Sequence, residues 1–231
     1  MKYQGSKNRF AKEILPIILK NRKPNQFYVE PFVGAFNLIQ WVDGNRIAND
    51  SNEYLIELFK AIQQGYEPPQ LVSEELYNNI KNNQQLFDKS TVGFVGFACS
   101  FGSKWFGGYA RGKNSKGNQR NYALESYRNI MKQKPLIQDI SIYNLDYRKL
   151  VIPRGSIIYC DPPYFNTTKY KDSIDSVEFW DWCREMSKEN TIFISEYSAP
   201  EDFICVWEKK VNENLSINNS GKRIEKLFTI Q

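Results

Sequence analysis

The strongest constraint on this chain is that short apolar runs alternate with helical patterns in two separate blocks. In the first block, residues 27–30 and 46–49 predict strands, and residues 35–41 and 53–64 predict helices. In the second block, residues 140–144, 156–160 and 191–195 predict strands, 177–188 predicts a helix, and 203–209 and 226–230 predict closing strands. This alternation is typical of a largely parallel sheet with helices on both faces, so we expect an α/β fold.

The segment between the two blocks has a different composition. No acidic residue occurs from Lys89 to Leu124, whereas basic residues recur throughout this stretch, and its first half is rich in glycine and aromatic side chains. We therefore predict an inserted lobe at residues 65–135. The core would then be discontinuous, formed by residues 1–64 and 136–231.

Composition excludes several kinds of chemistry. The 231 residues include no histidine, and no two cysteines form a Cys-x-x-Cys pair, so we expect neither a metal site nor histidine acid–base catalysis. We interpret Cys99, Cys160, Cys183 and Cys205 as reduced core residues of a cytoplasmic protein. The sequence shows no signal region and no apolar run that would span a membrane, and we expect a monomer. A net charge of +5 favours polyanionic partners.

The apolar run at residues 156–160 ends abruptly in Asp161-Pro162-Pro163-Tyr164. Proline donates no N–H and fixes its own φ, so the strand must stop here. Asp161 and the Pro162 carbonyl can accept hydrogen bonds from an amino group, the two prolines hold these acceptors rigidly, and Tyr164 offers a flat face for stacking. This pattern predicts a clamp for the exocyclic amino group of a flat ring, and a proline turn with a surface aspartate is the alternative.

Two further strand ends carry candidate ligand-binding residues. In "YVEPFVGAFN", Glu30 is followed by Pro31, Phe32 and Gly34, where a glycine allows the backbone to approach a ligand closely. In "IAND", Asp50 follows a strand at a point where it could accept hydrogen bonds from a ribose diol. A simple turn glycine and a helix-capping aspartate are the respective alternatives.

These motifs, in this order, resemble the Dam-type DNA adenine-N6 methyltransferases. The resemblance rests on "YQGSK" at residues 3–7, "EPFVGA" at 30–35 and "DPPY" at 161–164, and it covers both blocks of the core. It implies a Rossmann-like S-adenosylmethionine-dependent methyltransferase core with an inserted target-recognition lobe. The family usually has Gly-x-Gly in its cofactor loop, whereas this chain has Phe36 in place of the second glycine.

The resemblance also implies roles for individual residues. The target adenine would bind at Asp161, Pro162, Pro163 and Tyr164, and S-adenosylmethionine would lie beside Glu30, Pro31, Phe32 and Gly34. Tyr3 and Lys7 match the family's N-terminal cofactor motif, and Asp50 matches its ribose-binding acid. Asp146 has the place of an aspartate near the cofactor adenine, although it could instead cap a turn.

The basic segment suits double-stranded DNA, the partner that the resemblance implies. Lys104, Arg111, Lys113, Lys116 and Arg120 could neutralise phosphates, and Tyr170 could close over a flipped base. A solvated basic loop is the alternative for these residues, and a surface loop is the alternative for Tyr170.

The expected activity is methyl transfer to adenine N6 in double-stranded DNA. RNA adenine or DNA cytosine-N4 as substrate, and a catalytically inactive DNA-binding module on the same fold, stay open as alternatives. The sequence also leaves open whether the chain serves a restriction-modification system.

Overall fold

A computed structural model describes residues 1–163, 175–212 and 222–230. Its centre is a seven-stranded sheet with the order β3-β2-β1-β4-β5-β7-β6. The strands are β1 (Tyr28–Glu30), β2 (Arg46–Asn49), β3 (Ile140–Tyr143), β4 (Ile157–Cys160), β5 (Thr191–Glu196), β6 (Ile204–Asn212) and β7 (Lys222–Thr229). The first five strands pair in parallel, and β7 pairs antiparallel with both β5 and β6.

The topology confirms the predicted Rossmann-like α/β fold. The chain winds outward from β1 through β2 to β3, then returns to place β4 on the other side of β1. The strand order therefore reverses between β1 and β4, and ligands of open α/β sheets bind at such a reversal, beyond the carboxyl ends of the strands. Glu30 and Asp161, at or just after the ends of these two strands, flank the reversal.

Six α-helices accompany the sheet in the described part of the chain. They are α1 (Ala11–Ile18), α2 (Glu53–Gln63), α3 (Glu74–Asn82), α4 (Lys89–Gly93), α5 (Tyr122–Gln133) and α6 (Ser176–Ser187). A π-helical turn at Phe94–Ala98 continues α4. Asn52 caps α2 by accepting from the N–H of Leu55 at 3.0 Å, which fixes the start predicted for that helix.

The helix predicted at residues 35–41 was wrong. Only a 3₁₀ turn at Ile39–Trp41 forms there. Gly34 and Phe36 have φ angles of 53° and 59°, which lie in the left-handed region and cannot continue a right-handed helix. The apolar pattern was real, because Phe36, Leu38 and Ile39 are all buried, but it belongs to a compact loop.

The two faces of the sheet carry two cores, as alternation along a strand requires. Tyr28 and Tyr159 face a large cluster that includes side chains of α1 and α2, whereas Val29 and Ile158 face a second cluster with α6. The prediction of helices on both faces is thus confirmed.

The segment at residues 65–135 contributes to the large cluster. Tyr77, Ile80, Val92 and Phe94 are buried there with core residues such as Phe59. Packing against α2 anchors the segment on one face of the sheet, and its division from the core as a recognition domain stays a prediction.

Other predicted features have mixed outcomes. The four cysteines are free thiols, but only Cys99, Cys160 and Cys183 are buried; Cys205 is exposed on β6, so its assignment to the core was wrong. In the described ranges no helix has the length and apolar character needed to cross a bilayer. Across the same ranges no cluster of three or more cysteine or acidic side chains could hold a metal ion.

Candidate active site at the ends of β1, β2 and β4

The loop after β1 is tightly packed against the N-terminal segment. A Cβ added at Gly34 would lie 3.1 Å from Cε1 of Tyr3, so the absence of a side chain lets the Tyr3 ring approach the loop. Phe36 has a left-handed φ that costs a residue with a side chain roughly 1–2 kcal/mol. Its ring is fully buried, and the ring centroids of Phe36 and Phe59 are 4.2 Å apart. Burial of this apolar ring offsets the backbone cost.

Asn49 holds three strand ends together, a role that the sequence analysis missed. Its side-chain amide donates to the carbonyls of Pro31 at 3.0 Å and Leu145 at 2.9 Å, and its oxygen accepts from the N–H of Leu145 at 3.0 Å. The backbone carbonyl of Asn49 also accepts from the N–H of Val33 at 2.8 Å. The signal available in the sequence was an asparagine at the end of the apolar run in "IAND"; the structure buries it fully, so its polar atoms need these partners.

Asp50 braces the β1 loop from the neighbouring strand. Its two oxygens accept from the N–H groups of Gly34 at 3.0 Å and Asn52 at 2.9 Å. Burial raises the pKa of Asp50, and these two hydrogen bonds oppose that rise. A carboxylate has about four acceptor positions, so both oxygens retain capacity for the hydroxyls of a diol. Gly34 and Asp50, which the sequence analysis assigned to one site, therefore meet directly.

Asp161 is held by the N-terminal segment. Lys7 Nζ donates to Asp161 Oδ1 at 2.8 Å and to the carbonyl of Gly5 at 3.1 Å, and the Lys7 side chain is only 7% exposed. Burial raises the pKa of Asp161, while the Lys7 charge and hydrogen bond oppose the rise. Pro162 is buried and Pro163 is exposed, whereas Tyr164 lies outside the described residues. The ammonium thus favours the ionised form of this carboxyl, whereas burial disfavours it.

Glu30 is a buried carboxyl beneath the same site. The Tyr28 hydroxyl donates to Glu30 Oε1 at 2.9 Å, and Glu30 is 3% exposed. Burial raises the pKa of Glu30 well above its usual value, and the nearby Asp161 charge adds to the rise. Glu30 is therefore expected to hold its proton more tightly than Asp161, which has a lysine beside it.

Asp146 follows β3 and is occupied by local contacts. It accepts from the backbone N–H of Arg148 at 2.9 Å, and the Arg148 guanidinium also donates to it. The Arg148 hydrogen bond holds the pKa of Asp146 below its usual value. The alternative of a turn cap is thus observed, and the role beside a cofactor stays a prediction. The ring centroid of the neighbouring Tyr147 lies 5.0 Å from that of Phe32 in the β1 loop.

The predicted DNA-binding residues differ in whether an acidic side chain already pairs with them. Lys104, Lys113 and Lys116 are exposed, and a bridge between Lys113 and Gln119 makes the surrounding loop a short hairpin. Arg111 is paired with Glu74, and Arg120 donates to Glu125 from Nε at 2.8 Å. The two arginines therefore already have acidic partners. Tyr170 lies outside the described residues.

An open cleft borders Lys7. It has a volume of about 280 Å³ and is lined by residues of the N-terminal segment, including Tyr3, Lys7 and Arg9, together with Glu225 on β7. The sequence analysis assigned no role to Glu225. The cleft shows that solvent reaches the neighbourhood of the Lys7–Asp161 pair.

Comparisons with known proteins place the chain in a family. No curated protein matches it by sequence. Among solved structures, it is similar to a candidate methylase, HI0767 of Haemophilus influenzae, at 11% identity and a TM-score of 0.40, over 97% of this chain and 99% of that one. It is also similar to a candidate methyltransferase, SMU.472, complexed with SAH, at 12% identity and a TM-score of 0.41, over 99% of this chain and 54% of that one. A third is the tRNA (m1A58) methyltransferase TrmI of Aquifex aeolicus, at 11% identity and a TM-score of 0.41, over 95% of this chain and 68% of that one.

The similarity to these solved structures carries no conclusion about activity or substrate. The match to a family model is a separate comparison. Residues 3–129, more than half of the chain, match the model of the D12 class N6 adenine-specific DNA methyltransferases. This match confirms the resemblance that the three motifs indicated. The chain therefore belongs to the D12 class of N6 adenine-specific DNA methyltransferases and is a methyltransferase whose methyl donor is S-adenosylmethionine.

Proposed function

We propose that the chain transfers a methyl group to N6 of adenine in double-stranded DNA. The observation that carries the proposal is the place of Asp161, directly after β4 and across the strand reversal from the β1 loop. Asp161 lies beyond residues 3–129, so this geometry is independent of the match to the family model. An acceptor for an amino group thus stands next to the loop assigned to the methyl donor.

The residues around the β1 loop fit S-adenosylmethionine. Asp50 offers acceptors for a ribose diol while fixing the loop through the Gly34 N–H. Tyr3 packs against Gly34 from the N-terminal segment and closes one side of the loop. The cofactor supplies an electrophilic methyl group on a positively charged sulfur.

Asp161 has the chemistry needed to activate adenine N6. The lone pair of this nitrogen is delocalised into the ring, so the amino group is a poor nucleophile. Hydrogen bonds to the Asp161 carboxylate and the Pro162 carbonyl would favour a more tetrahedral, electron-rich nitrogen, and they would stabilise the positive charge that develops on it. By family resemblance, Tyr164 would stack on the base.

The double-stranded substrate requires base flipping and a surface for phosphates. Adenine N6 is hidden in the duplex stack, so the base must leave the helix to reach Asp161. Lys104, Lys113 and Lys116 are exposed cations, and none of the three pairs with an acidic side chain among the described residues, so they can neutralise phosphates directly. They support a DNA substrate more directly than Arg111 and Arg120 do.

The test is a transfer assay with a tritiated methyl donor on matched polymers. Purified protein is incubated with double-stranded DNA, single-stranded DNA or RNA of the same base composition, and the products are digested to nucleosides. We expect the label in N6-methyl-2′-deoxyadenosine from double-stranded DNA. Label in N4-methyl-2′-deoxycytidine or in ribonucleosides would replace the substrate assignment, and a folded protein that binds DNA but transfers no label would support the inactive binding module.

A further inference from the structure

The Lys7 ammonium lies between two carboxylates from different parts of the chain. Lys7 Nζ is 2.8 Å from Asp161 Oδ1 and 3.8 Å from Glu225 Oε2. Glu225 is 7% exposed and lies on β7, where it shares the core-facing side with Leu227. A buried glutamate at an inward-facing strand position is costly unless it interacts with a cation.

The net charge of this group decides how well Asp161 can serve a reaction that creates positive charge. Lys7 and Asp161 alone would form a neutral pair, whose field on a substrate nitrogen is weak. Glu225 adds a second negative charge, so the three side chains together carry one net negative charge. Glu30 adds little negative charge, because burial raises its pKa well above the usual value and so favours its protonated form.

Among the described residues, Arg9 is a further cation near Glu225, and it is more weakly coupled to the site. Arg9 Nη2 is 3.7 Å from Glu225 Oε1, but the Arg9 side chain is 58% exposed. Solvent and salt screen such an exposed partner far more than they screen Lys7.

The geometry also gives Lys7 a second place to go. Asp161 Oδ1 accepts from Lys7, although the same carboxylate must accept from the amino group of the substrate. A displacement of Nζ by about 1 Å towards Glu225 would give that pair the short separation typical of a charge-assisted hydrogen bond. Lys7 could therefore release Asp161 without losing a carboxylate partner.

We propose that Glu225 is a positioning residue for methyl transfer, which receives the Lys7 ammonium as the amino group of the substrate engages Asp161. This inference rests on the proposed function. Glu225 acts through Lys7, and the feature that matters is its negative charge.

The test compares Glu225→Gln with Glu225→Asp. The first variant keeps the shape but removes the charge, and the second keeps the charge on a shorter side chain. We expect the single-turnover rate of Glu225→Gln to fall about tenfold, the scale of one lost interaction with a charged group, while the dissociation constants for DNA and S-adenosylmethionine stay unchanged within about twofold. Glu225→Asp should recover much of the lost rate.

Glu13→Gln is the matched control. Glu13 on α1 pairs with Lys209 on β6, so this variant removes another ion pair between the N-terminal region and the β6–β7 pair, at a more exposed position. Its rate should match that of the wild type. A normal rate for Glu225→Gln, an equal loss in Glu225→Asp, or a parallel loss of ligand affinity would each overturn the positioning role.

A second measurement separates this inference from the proposed function. A wild-type protein that methylates no adenine would refute the proposed function, but the Lys7–Glu225 interaction can still be measured by urea unfolding of the protein without ligands. Glu225→Gln should destabilise the wild type more than it destabilises the Lys7→Met variant, because the second background has already lost the cation. Equal effects in both backgrounds would show that the two side chains are not coupled.

Discussion

At the carboxyl ends of β1, β2 and β4 the acidic side chains are buried or half-buried and each has a hydrogen-bond donor at a fixed position, whereas the lysines of the 113–119 hairpin are exposed. Asp50 is held by backbone N–H groups and Asp161 by Lys7. Lys113 and Lys116 project from a hairpin defined by one bridge. Buried charges require fixed partners, so this site is organised before any ligand binds, while exposed charges remain free to follow the shape of a polyanion.

The same difference separates the basic residues from one another. Lys7 is 7% exposed and pairs with a catalytic candidate, whereas Arg111, with a 67% exposed side chain, pairs with a surface glutamate. An exposed ion pair contributes about 0–1 kcal/mol to stability, so a phosphate can displace it at little cost. Substitutions at the buried site should therefore affect chemistry strongly, and those on the hairpin should change mainly the salt dependence of DNA binding.

The largest effect is expected at Asp161. Asp161→Ala removes one of the two acceptors proposed for N6, so methyl transfer should slow by at least about a hundredfold. Asp161→Asn should also fail, because the amide has no negative charge and can present its own N–H groups to the substrate. Single-turnover rates with protein in excess measure the effect, and circular dichroism checks the fold. A near-normal rate for Asp161→Ala would leave the DNA-binding module as the better interpretation.

Asp50 tests the cofactor side of the same buried site. Asp50→Ala should weaken binding of S-adenosylmethionine by about 1–3 kcal/mol, since it removes the acceptors for the diol. It also removes the acceptor for the Gly34 N–H, so the β1 loop loses its brace. Asp50→Asn keeps one carbonyl acceptor, so its affinity for S-adenosylmethionine should lie between those of the wild type and Asp50→Ala. Calorimetry without DNA or metal measures the affinities, and equal affinity in all three proteins would show that Asp50 only shapes the loop.

The exposed hairpin should respond in a different way. Lys113→Gln with Lys116→Gln should flatten the dependence of log affinity on log salt by about 0.9 for each phosphate that the variant no longer neutralises, and cofactor affinity should not change. Adding Arg120→Gln should change the slope little, because Arg120, unlike the exposed Arg111, is half-buried and pairs with both oxygens of Glu125. DNA binding measured at several salt concentrations gives the slopes. An unchanged slope in the double variant would mean that the two lysines form only a solvated loop.

The sequence predicted the five parallel strands well because each is a short run with apolar residues at its centre, whereas β6 ends three residues after the predicted 203–209 and β7 begins four residues before the predicted 226–230. Residues 46–49 match β2, and the buried run before Asp161 matches β4 within one residue. The helix expected at residues 35–41 failed because local backbone conformation, with left-handed Gly34 and Phe36, outweighed the apolar pattern. Such conformations depend on tertiary contacts, here the stacking of Phe36 on Phe59.

The site could be predicted only as separate motifs. Short separate stretches predicted roles for Tyr3, Lys7, Gly34, Asp50 and Asp161, but nothing local to them shows that Lys7 donates to a carboxylate 154 residues away. Asn49 and Glu225 were missed for the same reason, since their partners lie on other strands or in the N-terminal segment. Chemistry that resides in one short stretch is visible in a sequence, whereas support from distant residues becomes visible only in the fold.

The protonation state of Glu30 can be tested through the pH dependence of stability, without ligands or turnover. Burial raises the pKa of Glu30 well above its usual value, whereas an unfolded glutamate has a pKa of about 4.3. The folded state thus binds the proton more tightly, so the stabilising contribution of the protonated Glu30 is complete below the unfolded pKa and is lost as the pH rises towards the folded pKa.

The Glu30→Gln variant tests this pH dependence, because it cannot titrate, yet its side-chain oxygen can still accept from the Tyr28 hydroxyl. The stability of this variant relative to the wild type should therefore increase by about 1 kcal/mol per pH unit across that interval. Urea unfolding at a series of pH values measures the difference, and Glu57→Gln, at a partly exposed position on α2, is the matched control. Parallel curves for Glu30→Gln and the wild type would show that Glu30 is ionised in the folded protein, which would add a third negative charge to those of Asp161 and Glu225 near Lys7.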